Sequence, residues 1–235
     1  MAFDSVLLRA VPVAPWATAE DPGPLSGYVF TFWACSRRDP LFRDIAEVDC
    51  RGNFDEHLLT VSNVRSWHDG RHPRIQAAIS SQTLRRDAML GVNDRRPQPW
   101  QMFVDELVRI FIGGHQGYSV HTDVVWRCSE GRHRSLGMAV AAAGVLRYFG
   151  AAVLVFAGRG RLCRCRECRS FHDVRVNADI LQLVELVMGV QLAESTSRLQ
   201  NEGIHLTDKV HAFLAELIEW SDPVWEHTLD DVLRP

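Results

Sequence analysis

The sequence predicts an α/β fold in which a mostly parallel sheet is flanked by helices and followed by extra C-terminal helices. The main observation is the order of patterns over residues 118–158, where a strand, a short polar loop, a helix and a buried strand follow one another. This order is a βαβ unit, whose strands run parallel and whose crossover is right-handed. The chain also has 235 residues and 46% hydrophobic content, which is enough for one substantial core.

The first part of the chain predicts an arm, two strands and a long connection. Residues 1–25 are rich in Pro and Ala and predict an arm before the folded part begins. The aromatic and β-branched residues of YVFTFWAC predict a strand over 28–35, and IAEVDCRG predicts a second strand that ends in a polar loop over 45–52. Residues 53–73 contain three histidines and several turn formers, and they predict an irregular connection of the kind that often carries function.

Helix and strand patterns then alternate through the middle of the chain. Apolar residues at helical spacing predict helices over 73–90 and 97–114, the second with Pro near its start and Gly-Gly at its end. A strand is predicted over 118–128, a helix over 135–150 and a buried strand over 151–158. The polar residues between the strand over 118–128 and the helix over 135–150 predict a P-loop-like anion loop.

The C-terminal part changes character. Two amphipathic patterns, over 177–200 and 209–220, predict helices that pack back on the sheet or form a helical appendage. The predicted organisation is therefore an N-terminal arm, residues 1–25, an α/β domain, residues 26–176, and a helical C-terminal extension, residues 177–235.

Charge and composition exclude several classes of function. The net charge of -3 and the pI near 6.4 give no global attraction to nucleic acid or to an anionic membrane, so such binding needs a local patch. Lys209 is the only lysine and follows no glycine-rich turn, which excludes a Walker-type phosphate loop. The longest apolar run, 136–158, is divided by Arg147 and a Tyr-Phe-Gly break, so no membrane span is expected.

The expected compartment is the cytoplasm. The N-terminus lacks the apolar core and the cleavage site of a secretory signal. The six cysteines do not resemble a secreted disulfide framework in a chain of this size, so reduced thiols are expected.

The stretch CSEGRHRS, residues 128–135, joins a strand pattern to a helix pattern. A helix start presents unpaired backbone N–H groups and the positive end of the helix dipole, and both favour an anion. Gly131 permits the turn, Arg132 and Arg134 add guanidinium groups suited to phosphate, and Ser135 can cap the helix or donate to an oxygen. The first hypothesis is an anion site.

The same residues satisfy the Cys-x5-Arg-Ser pattern of cysteine-dependent phosphatases. In that alternative Cys128 is the nucleophile and Arg134 clamps the phosphoryl group. Glu130 places a carboxylate inside the loop, and Arg127 stands where those enzymes usually have His, so binding without turnover is favoured. A general acid is also needed, with four candidates, Asp49, Asp87, Asp94 and Asp123. A third reading makes Cys128 a buried strand-end residue beside solvated arginines.

The run RCSEGRHRS resembles the C-[ST]-G-G-x-H-R-S loop of the C-terminal domain of the RapZ family, the bacterial RNase adapter proteins. Glu130 replaces the first Gly of that motif. The matching positions are Cys128, Ser129, Gly131, His133, Arg134 and Ser135. The segment FTFWACSRRDPLFRDIAEVDCRGN also resembles the family's opening strand and D-x-R strand end, with Asp49 and Arg51 in the matching places, and the resemblance extends over residues 28–169.

The resemblance implies a binding role, because bacterial members sense a phosphorylated amino sugar in this domain and bind small RNA. The expected ligand is thus a phosphosugar, a nucleotide or an RNA backbone, bound without turnover. Together with the loop chemistry, it assigns ligand binding to Ser129, Gly131, Arg132, His133, Arg134 and Ser135, and also to Asp49, Arg51 and Asn53.

A basic, cysteine-rich stretch follows the last predicted strand. Its arginines can form the local patch that a globally acidic chain needs to bind phosphates or RNA, although a solvated connecting segment explains them equally well. These are Arg159, Arg161, Arg164, Arg166 and Arg169.

Cysteines of the same stretch allow a metal site. Cys163, Cys165, Cys168 and His172 together offer three thiolates and an imidazole, a donor set suited to tetrahedral zinc. Their spacing is crowded and lacks a second Cys-x-x-Cys pair, so no cofactor is expected and zinc is the alternative. The expected partners are a phosphorylated small molecule or RNA, without a membrane, and the C-terminal helices allow a protein partner or self-association.

Overall fold

A five-stranded sheet forms the centre of the protein, as seen in a computed structural model. The structure describes residues 8–11, 23–39, 45–53, 68–79, 99–115, 121–158, 162–169 and 189–221. The strands are β1 (Leu8–Val11), β2 (Val29–Ser36), β3 (Ala46–Asp49), β4 (His121–Cys128) and β5 (Ala152–Gly158). Their spatial order is β1-β5-β2-β4-β3, and all pairs are parallel except β1 with β5. The predicted α/β fold with a mostly parallel sheet is therefore confirmed.

The helices of the described residues lie before, between and after these strands. They are α1 (described over 73–79), α2 (Pro99–His115), α3 (Arg134–Tyr148), α4 (Arg166–Arg169), α5 (Leu192–Asn201) and α6 (Asp208–Ser221), with a 3-10 turn at Cys50–Asn53. Within the described part of the chain, none of these helices combines the length and the apolar character that a membrane crossing requires.

Strand β2 lies between the two strands of the predicted βαβ unit. β4, α3 and β5 follow one another in the chain, but β5 pairs with β2 and not with β4. Ser36 at the end of β2 therefore pairs with Cys128 at the end of β4, and the Arg37 N–H donates to the Cys128 carbonyl oxygen at 2.9 Å. The end of the central strand thus lies beside the loop that follows β4.

The core packs aromatic side chains of the sheet against α2. Phe32 and Trp126 meet Phe103 with ring centroids 5.8 Å and 4.9 Å apart, and all three are fully buried. Helix α3 is buried continuously from Ser135 to Leu146, which explains why its sequence is apolar on every side instead of on one stripe.

The element boundaries agree with the sequence patterns to within a few residues where the structure describes them. The second predicted strand stops at Asp49, because a 3-10 turn begins at the next residue. Four residues of the predicted arm form the edge strand β1, which pairs with β5. Helices α5 and α6 pack on α2. The division into arm, domain and extension stays a prediction, and the patterns over 54–67, 80–98 and 170–188 lie outside the described residues.

Candidate functional site

The loop of residues 129–133 lies at the carboxyl end of β4, next to the end of β2. In open α/β sheets this end of the strands is where ligands bind. Gly131 has φ 66°, a left-handed conformation that glycine adopts without the strain of a Cβ atom. The turn into α3 therefore depends on Gly131, as the sequence predicted.

The Cys128 sulfur lies inside this loop. Its Sγ accepts the Gly131 N–H at 3.1 Å and lies 3.2 Å from the Ser135 hydroxyl oxygen. Cys128 is 2% exposed and Ser135 is fully buried. Both contacts would stabilise a thiolate, but the sulfur is covered from solvent, which favours a role in shaping the loop.

Arg134 is oriented by the turn that follows β3. Its Nη1 donates to the Arg51 carbonyl oxygen at 2.8 Å, and its Nη2 donates to the Ser129 hydroxyl at 3.2 Å. Arg51 lies 83 residues before Arg134, so a distant segment helps to hold this guanidinium at the start of α3. The sequence predicted both Arg51 and Arg134 as ligand-binding residues, and the structure brings them together.

Asp49 and Arg51 form an Asp-x-Arg turn at the surface. The Arg51 N–H and Nε donate to the Asp49 carboxylate at 3.0 Å and 2.8 Å, and the Nη2 completes a bidentate ion pair. These hydrogen bonds, opposed in part by burial, lower the pKa of Asp49 from its usual value. The carboxylate form of Asp49 is thereby favoured, which disfavours Asp49 as a general acid.

Of the other candidate acids, the structure describes Asp123. It accepts the Trp33 indole N–H at 2.8 Å and precedes Cys128 by five residues of an extended strand, which is a separation of about 16 Å. Asp87 and Asp94 lie outside the described residues. Among the described candidates, then, Asp49 is held in its ion pair with Arg51, and Asp123 lies too far from Cys128 to protonate a leaving group there.

A second segment, residues 68–72, holds the other side of the loop. The His133 Nε2 lies 2.7 Å from the His68 carbonyl oxygen, and the Gly70 N–H donates to the Arg132 carbonyl oxygen at 2.9 Å. Gly70 also approaches α3 so closely that a Cβ there would lie 2.2 Å from the Gly137 nitrogen. Only glycine fits this contact.

Asp69 and Arg71 form a second Asp-x-Arg turn, and this one is buried. The Arg71 N–H and Nε donate to Asp69 Oδ1 at 2.9 Å and 3.0 Å, and Nη2 donates to Oδ2 at 2.7 Å. The Asp69 side chain is fully buried and that of Arg71 is 7% exposed. The pair also binds the chain after β5, since the Cys163 N–H donates to Asp69 at 2.6 Å and Arg71 donates to the Cys163 carbonyl oxygen at 2.7 Å.

The three clustered cysteines surround the imidazole of His68. Its Nδ1 lies 3.9 Å, 3.4 Å and 3.5 Å from the Sγ atoms of Cys163, Cys165 and Cys168. All four ligand atoms lie within 4.8 Å of one another, so the cluster can hold a metal ion. The predicted fourth ligand, His172, lies outside the described residues. Sequence spacing did not single out His68, although it lies in the histidine-containing connection predicted to carry function.

The remaining predicted residues belong either to the loop and the neighbouring 3-10 turn or to the basic patch. Ser129 and Glu130 are exposed, whereas Arg132 and His133 are half-buried, and Asn53 ends the 3-10 turn. Of the basic patch, Arg164, Arg166 and Arg169 are exposed, and Arg159 and Arg161 lie outside the described residues.

Arg127, the residue before the cysteine, contacts both strands that flank β4, which are β2 and β3. It is 5% exposed, with Nε 2.8 Å from the Glu47 carboxylate and Nη1 donating to the Ser36 carbonyl oxygen at 3.0 Å. This ion pair occupies the position that carries His in cysteine-dependent phosphatases.

No protein-family model, no curated protein and no solved structure matches this chain. The resemblance of the loop to the RapZ family thus stays a prediction.

Proposed function

We propose that the chain binds a phosphorylated ligand, a phosphosugar, a nucleotide or an RNA backbone, at the 128–135 loop without turnover. The observation that carries this proposal is the orientation of Arg134 by Arg51 and Ser129 beside the start of α3. A preoriented guanidinium at a helix start combines bidentate hydrogen bonding with the helix dipole, and phosphate is the group that both recognise. This is the role that the resemblance to the RapZ C-terminal domain implies.

Nearby charges favour the same ligand class. Arg37 and Arg38 follow the end of β2 and are exposed, next to the strand that precedes the loop. The negative charge of Asp49 is compensated by Arg51. Glu130 is the carboxylate of the loop sequence, and its exposure allows it to point away from a bound anion.

Thermal shift with inorganic phosphate, phosphorylated amino sugar and short RNA tests the proposal. A ligand at about 100 times its Kd stabilises a protein by about 2.7 kcal/mol, which for a chain of this size raises the Tm by roughly 5 to 11 °C. We expect Arg134→Gln to abolish the shift. The matched control is Arg109→Gln, which removes the same charge from an exposed position on α2.

Two results would overturn the proposal. One is no stabilisation by any of the three ligand classes. The other is an Arg134→Gln variant that behaves like Arg109→Gln. A shift with RNA that falls steeply with salt, without a shift from the sugar phosphate, would assign the site to a nucleic acid backbone.

The second candidate is a cysteine-dependent phosphatase, and the contacts of the Cys128 sulfur favour it. The Gly131 N–H and the Ser135 hydroxyl are positioned to stabilise a thiolate, which would attack phosphorus, release the alcohol and form a phospho-cysteine that water hydrolyses. Turnover of a generic aryl phosphate that disappears in Cys128→Ser would establish this activity. We expect no such turnover, because Cys128 is covered and the carboxylate form of Asp49 is favoured.

We also propose a cytoplasmic location for the protein. All six cysteines lie in the described residues and none of them forms a disulfide, which suits a reducing compartment.

A further inference from the structure

We propose that His68, Cys163, Cys165 and Cys168 bind one Zn²⁺ ion, and that this ion fixes the 68–72 segment against the 128–135 loop. This metal site is distinct from the phospholigand loop. Its nitrogen ligand is His68, and not His172 as the sequence spacing predicted.

The nitrogen–sulfur distances fit a tetrahedral zinc ion. With Zn–S near 2.3 Å and Zn–N near 2.0 to 2.1 Å, a tetrahedral site places each sulfur about 3.6 Å from the nitrogen. The observed Nδ1–Sγ distances of 3.4, 3.5 and 3.9 Å lie on both sides of that value. Three thiolates and one imidazole are also a donor set that structural zinc sites use.

The backbone around the sulfurs is arranged as expected for metal-bound thiolates. The Cys165 N–H donates to the Cys163 sulfur at 3.4 Å, and the Cys168 N–H donates to the Cys165 sulfur at 3.3 Å. Hydrogen bonds of this kind offset the negative charge of thiolate ligands and orient them. Helix α4, only four residues long, begins between the second and third cysteines and brings both to the same side.

Asp69 holds the two ligand-bearing segments together independently of a metal. Its carboxylate accepts the Cys163 N–H at 2.6 Å, while Arg71 donates to the Cys163 carbonyl oxygen. The residue before Asp69 is His68, so this anchor places the imidazole beside the cysteines. Such a preformed site loses little conformational freedom when it binds the ion.

His68 connects the cluster to the loop through a single residue. Its ring faces the three sulfurs, and its carbonyl oxygen lies 2.7 Å from the His133 Nε2. A bound ion would therefore fix both the ring and the peptide that the loop contacts. The neighbouring His72 ring lies 4.2 Å from that of His68 and is absent from the ligand set, so it provides a control.

The test is metal analysis of the full chain purified under reducing conditions without chelator. We expect about one zinc per chain, allowing for incomplete loading. His68→Ala and Cys168→Ser should lose the metal, while His72→Ala and His172→Ala should retain it. His68→Cys should also retain it, since four thiolates are an equally suitable set for zinc.

Cobalt substitution in the unaltered chain gives a readout that does not depend on the stability of any variant. We expect the visible and near-ultraviolet absorption of tetrahedral Co²⁺ bound by thiolates, and its loss on addition of excess Zn²⁺. Wild-type protein with neither zinc nor this spectrum would overturn the proposal. So would a His172→Ala variant that loses the metal while His68→Ala keeps it. Neither outcome depends on whether phosphate binds at the loop.

Discussion

The two Asp-x-Arg turns offer a direct measurement of what burial does to an ion pair. Both have the same local pattern, in which the arginine N–H and guanidinium donate to the carboxylate two residues earlier. They differ in exposure, since the Arg51 and Asp49 side chains are 47% and 35% exposed, and those of Arg71 and Asp69 are 7% and 0% exposed. The informative perturbation is Asp→Asn at each position, which removes the charge and keeps the shape.

The expected effects differ several-fold. An exposed ion pair contributes about 0 to 1 kcal/mol, so Asp49→Asn should lower the Tm by at most roughly 4 °C. Removing one partner of a buried pair costs about 3 to 5 kcal/mol, which is roughly 6 to 20 °C for a chain of this length. In Asp69→Asn an amide NH₂ would also replace one of two carboxylate oxygens, and each of these oxygens now accepts hydrogen bonds from Arg71.

Urea unfolding followed by tryptophan fluorescence measures both free energies of unfolding, with zinc kept at one concentration throughout. The slope of free energy against urea should remain unchanged in both variants, since neither alters the surface exposed on unfolding. If Asp49→Asn and Asp69→Asn lose the same stability to within about 1 kcal/mol, burial does not control these pairs and the reasoning is refuted.

Three further predictions concern the loop and its supports. Glu130→Gly removes an exposed carboxylate from the loop. We expect the phosphate affinity, measured by calorimetry at low salt, to rise by about three- to tenfold. Unchanged affinity would show that the Glu130 charge does not act on the bound anion. Gly70→Ala should destabilise by about 3 kcal/mol or more, because its Cβ would lie 2.2 Å from backbone. Gly137→Ala should cost less, because its Cβ would meet the tip of the Ile79 side chain and backbone only at 3.3 Å, and because alanine favours the helix; equal costs in urea unfolding would contradict this contact. Chelation of zinc should lower both the Tm and the phosphate affinity, and a chelated protein that melts and binds as before would separate the cluster from the loop.

Local sequence patterns were sufficient for most of the described strands and helices and for the turn after β4, but not for β1. Strands β2, β4 and β5 and helices α2 and α3 begin and end near the predicted residues, because hydrophobic periodicity and Gly or Pro at the ends are local properties. Gly131 was likewise predictable, since a tight turn between a strand and a helix requires a glycine.

The metal cluster and the strand order depend on contacts that no local pattern contains. Sequence spacing favoured His172 because it lies four residues after Cys168, whereas the structure places His68, 95 residues before Cys163, at the sulfurs. The position of β2 between β4 and β5 is a tertiary property of the same kind. The Asp-x-Arg pattern at Asp69 was visible in the sequence, but its burial was not.

The central position of β2 determines how long this strand stays unpaired during synthesis. The Thr31 side chain of β2 bonds the His121 side chain at the start of β4, 90 residues later in the chain. At about 5 to 20 residues per second, β2 therefore waits on the order of 5 to 20 s for a neighbouring strand. During that interval Phe30 and Phe32, which are fully buried in the finished protein, have no sheet to pack into. Slower translation lengthens the interval, and a chaperone that covers β2 shortens the exposure, so the yield of folded protein should rise with chaperone supply.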